Sequence, residues 1–194
     1  MADIASMVLP RVAPVDAGIR AHGFVLDFEP FLGVVKLHLL GEGAAERVAL
    51  LLGTPLPTAC RATTIGTVSC AWLGPAEWML TGREAHIAPL VERCREAAGD
   101  EGLIVDLTDG RACFVLYGRG ARNALSTHCP LDLSDEAMPV SSVARSLLGD
   151  VPLFVARLDD RQGHPAFRLI LDQTMAPYAL RLFAAIDQNP GVSS

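Results

Sequence analysis

His128 and Cys129 are the one adjacent cysteine–histidine pair in the chain, and so the first place to look for a nucleophile. A reactive thiolate needs the imidazole within hydrogen-bond reach. Neighbours in a strand or loop point to different sides, so a buried structural Cys129 is the stronger reading. Asp106-Leu107-Thr108-Asp109-Gly110-Arg111 offers a second set, a carboxylate and a guanidinium on a turn between two apolar runs. Such a pair can cap the turn or form one ion pair across the segments it joins. The chemical alternative, a carboxylate polarising a bound amine, needs a cavity. Trp78 follows Gly74-Pro75 on a hairpin, where an indole packs in a core or an interface more often than it stacks on a planar heterocycle. Asp132, in Cys129-Pro130-Leu131-Asp132-Leu133, is flanked by apolar residues that want burial, and it calls for a donor, Arg145 or a backbone N–H.

Other chemistries lack an anchor. Gly41-x-Gly43 and Gly118-x-Gly120 each stand between a strand and a helix, but neither continues to the third glycine of a dinucleotide fingerprint, and turn duty explains both. No His-Glu-x-x-His, clustered His/Cys/Asp or Gly-x-Ser-x-Gly motif occurs, so no metal site and no serine nucleophile is expected. Cys60, Cys70, Cys94, Cys113 and Cys129 are an odd count without a Cys-x-x-Cys pair, which argues for reduced thiols. The 194 residues are 51% hydrophobic, enough for a sizeable core in one domain. A net charge of -6, with Lys36 as the sole lysine and no basic run, argues against nucleic acid as a partner. The N-terminus lacks the pattern of a signal peptide, and no apolar run approaches the roughly 20 residues that span a bilayer. A soluble, cytoplasmic protein without a membrane partner is the expectation.

The elements that must position these residues follow from periodicity. Residues 1–22, with Pro10, Pro14 and Gly18, show none and read as an extended N-terminal arm that needs a surface to lie against. Phe24, Leu26 and Phe28 alternate as a strand, and Val34 to Leu40 form another. Ala44 to Leu52 is a helix closed by Gly53, followed by a loop through Pro55 and Pro57. Thr67 to Leu73 and Glu77 to Thr81 form a hairpin, Ala85 to Ala98 a helix, and Leu103 to Leu107 a short strand. This βαββαβ order is that of a ferredoxin-like unit. It recurs in Ala112 to Tyr117, helix Ala121 to Ser126, the hairpin of Val151 to Leu158 with Ala166 to Leu171, and helix Met175 to Ile186. The recurrence lacks only its last strand, which Phe24 to Phe28 can supply by crossing over. The expected class is therefore α+β: two pseudo-repeated ferredoxin-like βαββα(β) halves, about 23–107 and 108–188, in one domain over 23–188 with a flexible tail at 189–194.

At these residues the chain resembles the sarcosine oxidase gamma subunit family. That family shares a Leu-Gly-Pro-x-x-Trp-Leu-Leu hairpin, an Asp-x-Ser-x-Gly-Arg-Ala junction and a Cys-x-Leu-Asp-Leu segment. They stand here as Leu73-Gly74-Pro75-Ala76-Glu77-Trp78-Met79-Leu80, Asp106 to Ala112 and Cys129 to Leu133. Met138-Pro139-Val140, Ala144-Arg145-Ser146, Val151 to Val155 and Arg157-Leu158-Asp159-Asp160 follow in the family's order, so the resemblance runs colinearly over residues 23 to 187. Arg145-Ser146 departs from the usual Gln-Thr, which alters the charge and reach of any contact to a neighbouring subunit.

The resemblance implies an accessory subunit without a catalytic site of its own, in an enzyme that converts sarcosine to glycine with formaldehyde or methylenetetrahydrofolate and hydrogen peroxide. The larger subunits would hold FAD, FMN and NAD, with tetrahydrofolate as acceptor. The partners would be the alpha, beta and delta subunits, with alpha in direct contact. Trp78, Asp106, Arg111, Cys129, Asp132, Arg145 and Arg157 become interface or structural motif residues. A more distant kinship to the folate-binding aminomethyltransferase of the glycine cleavage system implies a folate-binding-domain-like packing of the halves. It leaves a second reading, a stand-alone folate-dependent one-carbon transferase or folate-binding module with Asp106, Arg111 and Trp78 as candidates.

Overall fold

The computed structural model describes residues 13–15, 18–21 and 23–188. Most of the expected arm, and the tail at 189–194, lie outside the described residues. Eleven strands and four α-helices follow one another as β1 (Ile19–Arg20), β2 (Val25–Phe28), β3 (Leu32–Leu39), α1 (Glu42–Leu52), β4 (Ala62–Ile65), β5 (Val68–Gly74), β6 (Glu77–Arg83), α2 (Glu84–Ala98), β7 (Gly102–Asp106), β8 (Arg111–Tyr117), α3 (Ala121–Ser126), β9 (Val143–Leu148), β10 (Val151–Arg161), β11 (His164–Asp172) and α4 (Ala176–Gln188). They build a five-stranded sheet, β4-β5-β6-β3-β7, and a six-stranded sheet, β1-β2-β8-β11-β10-β9, with every pairing antiparallel.

Strand alternation decides which face goes where. In β3, Val35, Leu37 and Leu39 point to α1 and α2 and join Val48, Ile87, Val91 and Cys94 in one core. In β8, Ala112, Phe114 and Leu116 point to α3 and α4 and join Leu125, Phe167, Ala179 and Phe183 in another. The opposite faces meet: Val34, Ala71 and Met79 of the first sheet pack on Cys113, Phe154 and Ile170 of the second. The result is four layers, helices outside and two sheets within. Ala62 N–H to the Ser141 carbonyl (2.9 Å) and Val143 N–H to the Cys60 carbonyl (3.0 Å) tie the sheets along their β4 and β9 margin.

Val25 to Phe28 pair with Tyr117 to Phe114, so the N-terminal strand does cross over to the second sheet. Gly118 permits this crossing. Its φ is 122°, and a Cβ there would lie 2.6 Å from the Gly23 carbonyl, whose oxygen accepts the Gly120 N–H at 2.8 Å. Two expectations need correction. β4 and β9 each add a strand to the expected βαββα(β) order, and both escape a search for alternation because they are half-exposed edge strands, Ala-Thr-Thr-Ile and Val-Ala-Arg-Ser-Leu-Leu. At the described end of the expected extended arm, Ile19 and Arg20 pair with Leu26 and Val25 as β1.

Candidate functional site

The junction motif separates in space into two jobs. Asp106 Oδ1 accepts the Thr108 N–H at 2.9 Å, an Asx turn that opens the single 3₁₀ turn Thr108–Gly110. Thr108 Oγ1 in turn accepts the Val34 N–H at 3.1 Å, fastening the junction to β3. Arg111 does not meet Asp106. Its Nη1 lies 3.4 Å from Asp172 Oδ2, and Asp172 also accepts both the N–H and the hydroxyl of Thr174 ahead of α4. Those Thr174 bonds, with the Arg111 charge behind them, hold the Asp172 carboxyl below the usual aspartate range.

The Cys129 segment is anchored by its cysteine and exposes its aspartate. Cys129 is buried with Sγ 3.6 Å from Ser146 Oγ, while His128 turns away, its Nε2 lying 3.3 Å from the Leu182 carbonyl. No thiolate couple forms there. Leu133 enters the core, so alternation sends Asp132 outward. There Oδ1 accepts the Ser134 N–H at 2.9 Å, and the burial and the Arg145 partner considered for it do not occur. Cys70, Cys94 and Cys113 are pushed up to about 12, 11 and 12 by burial, which keeps them as thiols.

Arg157 is the buried charge of the second sheet. Its Nη2 meets Asp160 at 2.6 Å and Asp135 at 3.6 Å, its Nη1 donates to the Leu158 and Ala166 carbonyls at 2.5 and 3.4 Å, and the guanidinium lies 5.4 Å from the Phe167 ring centroid. Arg122 also binds Asp135, so the long segment between α3 and β9 is pinned to β10 through these groups. Arg157 Nε has no hydrogen-bond partner among the described residues.

Trp78 sits on the α1 side of its sheet, half-buried against the core there, with Nε1 donating to the Pro57 carbonyl at 2.8 Å. Arg111 lines a cleft of about 200 Å³ with Phe28, Phe31, Thr108, Asp109 and Gln173. A second cleft, of about 70 Å³, opens between the sheets beside Thr81, Arg157 and Arg168. Ligand pockets for drug-sized molecules span about 300–1,000 Å³. The three folate candidates do not converge on either cleft: of them only Arg111 lines one, and Trp78 and Asp106 line neither.

Sequence reasoning missed Lys36 and Glu77, whose Nζ and Oε1 are 2.5 Å apart. Their separation along the chain hides the pair, which the β3–β6 register creates. The signal available was polar Lys36 and His38 alternating inside an otherwise apolar strand. Glu77 stands directly across from His38, and Arg145 Nη1 reaches it from the other sheet at 3.9 Å. The Lys36 hydrogen bond above all, then the charges of Lys36, His38 and Arg145, outweigh burial and hold the Glu77 carboxyl below the usual glutamate range. The folded value is the depressed one, so this stabilisation is complete above the ordinary glutamate pKa and is lost as pH falls through the depressed value. Glu77→Gln cannot titrate. It is expected to lose less Tm than the parent chain between neutral pH and about pH 3, and parallel Tm–pH curves would refute the pairing.

A family model described as "Sarcosine oxidase, gamma subunit family" matches residues 42–185, from α1 into α4 and hence across both sheets. The chain belongs to the sarcosine oxidase gamma subunit family. The sarcosine oxidase subunit gamma of an Arthrobacter species is 27% identical over 131 residues, which are 64% of this chain and 62% of that relative. The chain thus spans less than two thirds of that curated relative's length. The heterotetrameric sarcosine oxidase of Corynebacterium sp. U-96, solved with pyrrole 2-carboxylate, contains a chain of the same fold. The TM-score is 0.77 at 21% identity, covering 92% of this chain and 90% of that one. Aminomethyltransferase T of the glycine cleavage system from Bartonella henselae shares the fold over 83% of this chain and 45% of its own length, with a TM-score of 0.61 at 16% identity. Among the motif residues, Asp106 caps a turn, Cys129 lies in the core of the second sheet and Arg157 pairs with Asp135 and Asp160. No helix among the described residues is long and apolar enough to cross a membrane.

Proposed function

We propose that this gamma-family chain is an accessory subunit of a heterotetrameric sarcosine oxidase, contributing surface and stability rather than reacting groups. The observation that carries this reading is the family match over residues 42–185, which takes in strands of both sheets. The engagement of the family motifs supports it. Asp106 caps a turn, Arg111 pairs with Asp172 and Arg157 ties down a loop, so each is committed to the fold. In this reading the oxidation of sarcosine to glycine, with formaldehyde or methylenetetrahydrofolate and hydrogen peroxide, proceeds on FAD, FMN and NAD in the larger subunits, in the cytoplasm. The alpha subunit is the direct neighbour, alongside beta and delta.

The same reading treats residues 23–188 as one domain of two repeated units behind an N-terminal arm. The sheet orders support it, since β4-β5-β6-β3-β7 is matched strand for strand by β9-β10-β11-β8-β2. Both contain a ferredoxin-like order with one added strand, β4 or β9, at the same edge, the second sheet also carrying β1 beyond β2, and strand 25–28, though it lies in the first stretch of sequence, completes the second unit. Packed through their inner faces, the two units form a folate-binding-domain-like body. Coexpression with the three other subunits tests the function: the chain is expected to co-purify stoichiometrically with the flavin-bearing subunits and to be colourless alone. Its recovery free of them would overturn the assignment.

A further inference from the structure

The two sheets do not cover each other completely. The inter-sheet core contains Val34, Met79 and Ala71, and it stops at the row where Lys36 lies between Val105 and Met79. The next row on the same face reads Leu103, His38, Glu77, Gly74 across β7, β3, β6 and β5. Leu103 is 58% exposed, and Leu40, at the end of β3, is 71% exposed. From the facing sheet Arg145 reaches Glu77 with its side chain 68% exposed, and Leu147, on the same face of β9, is 44% exposed. Apolar side chains at this level of exposure are thus gathered around a charged centre on the inner face of a sheet, a face that is otherwise core.

We propose that this open face, Leu40, Leu103 and Leu147 around Lys36, Glu77 and Arg145, is the surface on which the chain docks a partner subunit that presents apolar side chains together with a carboxylate. The inference rests on the reading of the chain as an oxidase subunit and specifies which surface serves it. Charge selects the occupant. Lys36 and Arg145, with His38 beside them, share the single carboxylate of Glu77, so the cluster is net positive on a chain whose net charge is -6. A partner carboxylate completes the set and would be desolvated beside two cations. A second copy of the chain fits poorly, because a two-fold contact would set this cluster against itself, cation facing cation. Addition of a strand to the β7 edge fits less well than docking on the face. The Gly102 N–H is already taken by the Gly99 carbonyl, and the Ile104 carbonyl lies 3.5 Å from Arg95 Nη2.

Lys36, the sole lysine, makes the test specific. In the coexpressed complex, amine-reactive labelling of the Lys36 peptide is expected to fall about tenfold or more relative to the isolated chain, and Leu103→Asp and Arg145→Glu are each expected to weaken assembly about thirtyfold or more, the size of an interface hot spot. Leu50→Asp, on α1 and 83% exposed, is the control and should assemble as the parent does. Circular dichroism and Tm of the isolated variants establish that they fold. If the parent does not assemble with the flavin subunits, the subunit reading itself fails. If the parent assembles while Lys36 stays equally reactive and both variants bind as well as it does, only the docking surface is overturned. A homodimer in sedimentation that Leu103→Asp dissolves would overturn the choice of occupant.

Discussion

A chain shortened to begin at Pro30 is expected to lose cooperative folding of the six-stranded sheet. The deletion removes β2 from the flank of β8 and with it Phe24 and Leu26, both in the core beneath α4. Removing a buried Phe and a buried Leu costs about 5–10 kcal/mol together, against a total stability of about 5–15 kcal/mol for a typical domain. It also cuts the bidentate pair of Arg168 with Glu29, at 2.8 and 3.2 Å, which fastens the end of β2 to β11. Urea unfolding followed by far-UV circular dichroism should show no sharp transition for the shortened chain, and hydrogen exchange should show β8 and β11 unprotected. A synthetic peptide of residues 13–29 should restore protection in those strands. An unchanged urea midpoint in the shortened chain would show that β2 is dispensable and that the second unit is closed without it.

The crossing of β2 was legible for a reason that also explains what was not. Phe24, Leu26 and Phe28 alternate cleanly, and the later unit lacked one strand, so an orphan strand and a vacancy could be matched by counting. Helices α1 and α2 were legible from their terminating glycines, Gly53 in the left-handed region and Gly99 with φ 56°. β4 and β9 were not. Edge strands are paired on one side and half-exposed on both faces, which leaves their residues without a hydrophobic period. The site was less legible than the fold because its contacts are made by register rather than by adjacency. Asp106 and Arg111 stand close in sequence, yet one caps a turn and the other pairs with Asp172, whereas Lys36 and Glu77 are distant in sequence and touch. Motifs located the segments that matter, and strand pairing decided which of their side chains meet.

Phe114→Ala is expected to destabilise the chain by about 3–5 kcal/mol, equivalent to a fall in Tm of about 6–20 °C. Phe114 is fully buried on β8, between β2 and β11, and its ring centroid lies 5.3 Å from that of Phe28 in a tilted pair. Two consequences separate this ring from an ordinary core position. First, loss of the ring leaves Phe28, the last residue of β2, without its aromatic neighbour, so protection should drop further in β2 than in β10. Second, the Phe28→Ala and Phe114→Ala effects should fail to add by about 0.5–1.5 kcal/mol, the coupling expected of an aromatic pair. Midpoints from urea titration give the cycle directly, provided the slope with denaturant is unchanged. Strict additivity would mean that the strand is held by its backbone ladder, by Phe24 and Leu26 and by the Arg168–Glu29 pair, with no separate contribution from the Phe28–Phe114 contact. Measurable coupling would place part of the closure of the second unit in this one contact between the N-terminal strand and the centre of the sheet it completes.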